Sequence, residues 1–454
     1  MKGYVPTPDA LVDKMVEHLF SGMLPNPTDF LLEPGCGDGQ FIDGVLRWCR
    51  SRQIQPPRIL GVEINPALAS KARERFKNEA AVEIVEADYL AARMPVKFRF
   101  VVGNPPYVSL ENITEDERET YRGSFNAARG RFDLYMLFFE RAIVDLADDG
   151  RLVFVTPEKF VYVESAGSLR NLLATFQIES IELIPEDTFT DRTTYPAVTT
   201  LRKRSAKDKT AASLRDGERR QVDLPGGGIT WLPLLMGHDV SREGMVPLIS
   251  YCRRISAGVA TGADGIFIRP IKSLSAGLRQ FAYPALAGRD LSLNGDALPA
   301  PNKALLVPYD EDGRLIEEDK LGALGLFLRE ANIRQRLEMR TCAERKPWYA
   351  FHDNCPMPDI MQPKILFKDI GERPKFWIDR SGAVLPLHTV YYIVPSAGVE
   401  IDLLCDWLNG TEALLWFKHH CHRAANGFIR LQSRVIKNLP VPAKLTHKNI
   451  QRVA

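Results

Sequence analysis

A chain of 454 residues, 45% hydrophobic and 26% charged, has room for two or three domains with sizeable cores and the composition of an ordinary globular protein, not of a disordered or fibrous one. It has no apolar run long enough to span a bilayer, no signal-peptide core in MKGYVPTPDALVD and no CxxC pair among its seven cysteines, so the expectation is a cytoplasmic chain with reduced thiols. The net charge of +2 hides an asymmetry: residues 1–200 hold 22 Lys+Arg against 30 Asp+Glu and residues 201–454 hold 37 against 27, which turns the second half towards a polyanion.

In chain order, Leu11, Val12, Met15, Val16 and Leu19 predict a helix over 10–24. FLLEPGCGDG is a short apolar strand ending in a glycine-rich turn, with a helix at Gln40–Arg50 behind it. RILGVEINP is a second strand that stops at an acid, and a Lys- and Arg-rich helix follows at Ala67–Lys77. VEIVEADYL and FRFVVGNPPYV are the third and fourth strands. FDLYMLFFERAIVDL is a long apolar helix. GRLVFVTPEKF, SIELIPEDTF and AVTTLRK add three strands. The alternation predicts an α/β fold with a doubly wound, mostly parallel sheet over residues 1–202. The polar run RKRSAKDKTAASLRDGERRQ, closed by LPGGG, predicts a linker or exposed loop over 203–229. Residues 230–454 lack a βαβ rhythm and predict a mixed α+β domain, with helices near Ala323–Arg340 and Asp402–His419.

Ligands of such sheets bind beyond the carboxyl ends of the strands. The unusual residues stand there: Glu33 with the glycines, Glu63, Asp88 with Tyr89, and Asn104–Tyr107. Gly35-Cys36-Gly37-Asp38-Gly39 lets backbone approach a ligand closely, but its spacing is not the GxGxxG of dinucleotide enzymes. Glu63 is placed to take ribose hydroxyls, and Asp88 to accept from an exocyclic amine beside the Tyr89 ring. The alternative for each acid is a helix N-cap, which Asp88 could serve equally well, but three such strand ends in sequence are harder to explain by capping alone. The set suits a nucleoside with an amino-acid tail and no phosphate, S-adenosylmethionine, and the acidic charge of this half agrees with a cationic sulfonium.

NPPY after a fourth strand, with EPGCGDG and GVEINP upstream and YVPTPDALVDKMV ahead of them, resembles the amino-methyltransferases of class I. The order of these motifs, followed by a large C-terminal region, resembles the gamma-class adenine-N6 DNA methyltransferases. That resemblance covers residues 4 to about 200 and implies a Rossmann-like catalytic domain. It implies catalysis by Asn104, Pro105, Pro106 and Tyr107, in which the Asn104 side-chain oxygen and the Pro105 carbonyl accept the two N6 hydrogens of an extruded adenine. It implies cofactor contacts at Thr7, Glu33, Gly35, Glu63, Asp88, Tyr89, Pro106 and Phe138. Tyr107 and Phe189 would stack on the base, with Tyr195 as a second choice to Phe189. A plain core position is the alternative for Phe189 and for Phe138.

Residues 230–454 would then be a DNA target-recognition domain. Basic residues alternate with aromatics in AERKPWYAF, ERPKFW and HHCHRAANGFIRLQSRVIKNLP, and Arg423, Asn426 and Arg430 are the candidates for DNA contact. The cluster His419–His422 is not expected to hold a metal, because adjacent positions on a helix point apart. Duplex DNA is the expected partner, with a separate cognate restriction endonuclease, no membrane and a monomeric enzyme. The rivals are an RNA adenine or protein glutamine methyltransferase sharing the NPPY chemistry, and a DNA-binding subunit without catalysis. An intact Asn104–Tyr107 weighs against the last.

Overall fold

Apolar runs such as FLLEP and FRFVVG are largely buried on both faces, as strands in the middle of a parallel sheet must be. The computed structural model describes residues 5–185, 188–189, 195–237, 244–293, 295, 297–423 and 428–446. The chain divides into two compact units, Met1–Asp239 and Val240–Ala454.

In the first unit α1 (Asp9–Phe20) precedes β1 (Phe30–Pro34), and α2 (Gln40–Ser51) leads to β2 (Arg58–Glu63). Then come α3 (Pro66–Arg75), β3 (Val82–Glu86), β4 (Phe98–Gly103), α4 (Glu115–Ser124), α5 (Leu134–Asp145) and β5 (Leu146–Pro157). They are followed by α6 (Gly167–Ala174), β6 (Phe176–Leu183), β7 (Pro196–Ser205), β8 (Thr210–Ser213) and β9 (Arg219–Val222). The strands form one sheet in the order β3-β2-β1-β4-β5-β7-β6-β8-β9. Strands β7 and β9 alone run against the others. This is the predicted doubly wound, mostly parallel sheet. The chain leaves β1 towards β2 on one side and returns to β4 on the other, so the switch point lies between β1 and β4. One apolar cluster packs α1 and α2 against the sheet and another packs α5 and α6 against it.

The linker expected over 203–229 is corrected. β7 runs on to Ser205, and β8 and β9 extend the sheet edge. Their burial alternates residue by residue, so edge strands with one wet face carry the polar composition of a loop. Beyond them, Arg170 is buried and donates to the carbonyls of Gly228 and Ile229, and Trp231 is fully buried and donates to the Pro225 carbonyl. These bonds hold 225–231 in the first unit and move the boundary from 230 to Asp239.

The second unit is mixed α+β. Cys252–Ala257, Val390–Pro395, Lys364–Lys368 and Phe376–Asp379 form an antiparallel sheet in that order. Ile268–Pro270, Lys303–Leu306, Ala282–Leu286 and Leu385–Pro386 form a second. Each of the two predicted helices is broken in two: Gly322–Leu328 with Ala331–Glu338, and Ile401–Asn409 with Thr411–His420. Gly410 interrupts the second pair in extended backbone. Among the described residues no helix is long and apolar enough to cross a membrane.

Candidate active site

The ends of β1, β2 and β4, the turn after β3 and the N-terminal half of α5 surround a cavity of about 230 Å³. Seven of the sequence-predicted residues line it: Gly35, Glu63, Asp88, Tyr89, Asn104, Pro106 and Phe138. Its charged lining residues are Glu63, Asp88 and Glu117, with no lysine or arginine among them. Such a lining favours a cationic ligand over a phosphate.

The glycine turn is built by backbone bonds. Gly35 and Cys36 N–H both donate to the Val62 carbonyl, at 2.8 and 3.0 Å. Gly35 has φ +69°, a backbone conformation that favours glycine, and a Cβ there would lie in ordinary contact with Phe138 and Pro106 at 3.5 and 3.7 Å. Gly39, at φ +87°, starts α2 where any Cβ would run into the Phe76 ring.

The acids are not alike. Glu63 accepts from Gly37 N–H at 2.8 Å and from Asn65 N–H at 2.7 Å, one on each oxygen, which fixes its plane at the cavity edge. Each oxygen keeps a second lone pair for a hydroxyl. Asp88 caps its own turn by accepting from Leu90 N–H at 2.9 Å through Oδ1. Glu33 is 2% exposed and lies outside the lining, and it accepts from Ile42 N–H at 3.1 Å at the start of α2. Burial pushes its carboxyl well above the usual range, against the N–H groups of Ile42 and Phe41. The capping alternative therefore describes Glu33 as it stands.

Tyr89 is a fixed wall. Its ring packs 5.3 Å from Phe138, and its hydroxyl donates to the buried Asp145 at 3.0 Å. Arg141 pairs with the same carboxylate at 2.8 Å.

At the other end stands Asn104. Its Nδ2 donates to the Val5 carbonyl at 3.1 Å and to Thr7 Oγ1 at 3.0 Å. A carbonyl can only accept, so Val5 sets which way the amide faces. Oδ1 is left buried without a hydrogen-bond partner among the described residues. No described residue donates to the Pro105 carbonyl, whereas the Pro106 carbonyl accepts from Val108 N–H. Thr7 is 2% exposed and does not line the cavity. Its own N–H donates to Gln40 Oε1 at 2.7 Å, tying the N-terminal segment to α2. Tyr107 is half-buried off the cavity lining, edge-on to Tyr135 at 6.5 Å, and burial raises its phenol.

The structure places Phe189 in the apolar cluster with α1 and α2, 5% exposed. The Tyr195 carbonyl accepts from Glu158 N–H, and the Arg215 guanidinium lies 5.2 Å from the Tyr195 ring. Arg430 and Arg423 sit on paired two-residue strands, and Arg430 lies 3.6 Å from Asp369. Asn426 lies outside the described residues. Among the described residues no group of three His, Cys, Asp or Glu could hold a metal. His420 stacks on Trp416 at 4.2 Å.

Sequence reasoning missed one wall: Asn112, Ile113, Glu117 and Tyr121, from α4 and the turn before it. The signal was present in TEDE, because Thr114 and Glu117 form a reciprocal capping box. It also missed Gln40 as the anchor of Thr7.

Sheet order, glycine turn and acidic cavity together give the fold of the class I S-adenosylmethionine-dependent methyltransferases. The residues fit that cofactor: Glu63 offers spare lone pairs to a ribose, Asp88 an acceptor beside two aromatic rings, and no cation opposes a sulfonium. The sequence profile described as the Eco57I restriction-modification methylase matches residues 58–189. The chain is 26% identical to the Type II methyltransferase M.XhoI of Xanthomonas vasicola, over 91% of this chain and 85% of that one. It is also 26% identical to M.PaeR7I of Pseudomonas aeruginosa, over 91% and 80%. Among solved structures, the Type IIL restriction-modification enzyme MmeI in complex with DNA shares the fold. It aligns with TM-score 0.69 and 15% identity over 95% of this chain and 67% of that one. The chain is thus similar along most of its length to Type II methyltransferases of restriction-modification systems.

Proposed function

We propose that this chain methylates N6 of an adenine flipped out of duplex DNA, as a monomeric, cytoplasmic modification enzyme beside a separate cognate endonuclease. The observation that carries this reading is the Asn104 amide: its NH2 side is pinned by Val5 and Thr7, and its oxygen is buried and unpaired at the cavity. A buried acceptor without a donor is costly, and an incoming amine relieves that cost. Beside it the Pro105 carbonyl is a second acceptor, on a loop that two prolines stiffen.

An exocyclic amine is a poor nucleophile because its lone pair is delocalised into the ring. Two fixed acceptors that take its two hydrogens draw that pair out of conjugation and aim it. When bound, S-adenosylmethionine supplies an electrophilic methyl group. Asn104 and Pro105 hold the amine, Tyr107 packs on the base face, and Tyr89 and Phe138 exclude water from the cofactor side. No strong base is needed, since the surplus proton can leave to solvent after transfer. Phe189 would close the second face of the base, which requires its ring to leave the cluster with α1.

The test is incubation with radiolabelled S-adenosylmethionine and unmethylated bacterial DNA, followed by digestion to nucleosides. Label in N6-methyladenine is expected. Label confined to protein or to RNA would refute the DNA reading in favour of the glutamine or RNA rivals, and label in methylcytosine would refute the adenine assignment.

A further inference from the structure

The second unit carries 29 Lys+Arg against 22 Asp+Glu, a net of +7. Part of that charge gathers at one open cleft of about 650 Å³, where five segments meet. Arg269 comes from the strand Ile268–Pro270, Arg289 from the turn Gly288–Asp290, and Lys368 from the end of Lys364–Lys368. Gly265 and Thr389 close the remaining sides.

Of the two acids that line the cleft, Asp369 faces Arg430 at 3.6 Å and Asp264 faces the His388 ring at 3.6 Å, and outside the lining Asp290 faces Lys303 at 3.9 Å. Arg269, Arg289 and Lys368 pair with no carboxylate among the described residues, and Arg269 instead lies 5.2 Å from the Phe327 ring. Three unneutralised cations around one concavity repel each other until an anion arrives. The cleft walls are fixed by backbone: Asp369 N–H donates to the Thr389 carbonyl at 3.2 Å, and Gly288 N–H to Thr389 Oγ1 at 2.8 Å.

The cleft continues into a three-stranded ribbon. Ile370, a lining residue, pairs with Arg430, and the next strand brings Arg423 opposite Ile429. No phenylalanine, tyrosine or tryptophan lines the cleft, so it offers no stacking platform for the base of a free nucleotide. An open basic concavity without such a platform matches a repeating phosphodiester instead.

We infer that this cleft is a backbone-binding site for the target duplex, with Arg269, Arg289 and Lys368 each contacting phosphate and Arg430 at its rim. This rests on the DNA reading above. The test compares wild type with the triple variant Arg269→Gln, Arg289→Gln, Lys368→Gln in anisotropy titrations of a fluorescent 30-base-pair duplex between 50 and 200 mM salt. Each lost phosphate contact removes about 0.9 from the log–log salt slope, so the triple variant should lose about 2.7. Its Kd at 100 mM salt should rise at least tenfold while S-adenosylmethionine binding is unchanged. The exposed Arg289→Gln alone, the variant least able to disturb folding, should lose about 0.9. A wild-type enzyme that methylates DNA, with slopes unchanged in both variants, overturns the cleft. A wild-type enzyme that methylates no DNA defeats the underlying reading and is seen before any variant is made.

Discussion

Replacing Thr7 by valine is the sharpest probe of how the site is organised. The two residues are nearly isosteric, so the change removes little except the hydroxyl. In the structure that hydroxyl accepts one of the two hydrogens of Asn104 Nδ2, and the Val5 carbonyl accepts the other. Without it one amide hydrogen is stranded in a buried place, at a cost of about 1–2 kcal/mol, and the flipped amide becomes a closer competitor. A flipped Asn104 turns an NH2 group towards the amine it should accept from. If the full cost falls on the reactive orientation, kcat drops about 5- to 30-fold. The assay is single-turnover methyl transfer at saturating DNA and cofactor, with cofactor affinity measured separately by calorimetry. Thr7→Ser keeps the acceptor and should stay within about twofold of wild type. A Thr7→Val enzyme whose loss vanishes at saturating cofactor would refute the positioning argument and return Thr7 to the cofactor contact that the motif resemblance implies.

Further outcomes follow from the same geometry. Asn104→Ala should lower single-turnover transfer by at least about a hundredfold while calorimetric cofactor affinity holds, because an oriented acceptor at the reacting nitrogen is removed. Glu63→Gln exchanges one acceptor oxygen for a donor at the cavity edge and should weaken cofactor binding about tenfold, with kcat at saturation much less affected. Tyr89→Phe deprives the buried Asp145 of its hydroxyl donor, leaving Arg141, and should cost about 1–3 kcal/mol of stability in denaturant titration. The raised pKa of Glu33 means the folded state holds its proton longer than the unfolded chain does. Its stabilising effect is therefore complete below the unfolded carboxyl range and is lost as pH rises towards the folded value. Glu33→Gln keeps an acceptor for Ile42, so its Tm advantage over wild type should grow from pH 5 to pH 8, and a constant difference would refute the assignment.

The alternation of apolar runs and acid-tipped turns was enough to determine the order of strands through residue 202 and of the helices between them, α4 and α6 excepted. It also determined that Glu63, Asp88 and Asn104 each stand at or just after the carboxyl end of a strand. Period and position along a strand are local properties, and the sequence carries them directly. The same logic erred where polarity and structure part company. The edge strands β8 and β9 wear a loop's composition because one face is wet, and the sequence did not reveal that Glu33 is buried off the cavity lining and accepts from Ile42 N–H. Only the tertiary structure decided that Val5 and Thr7, almost a hundred residues away, turn the Asn104 amide so that its oxygen is left open. It alone brought Arg269, Arg289 and Lys368 to one cleft from separate strands and turns. Which way an amide faces, and which cations share a concavity, depend on partners distant in the chain, and no local pattern encodes them.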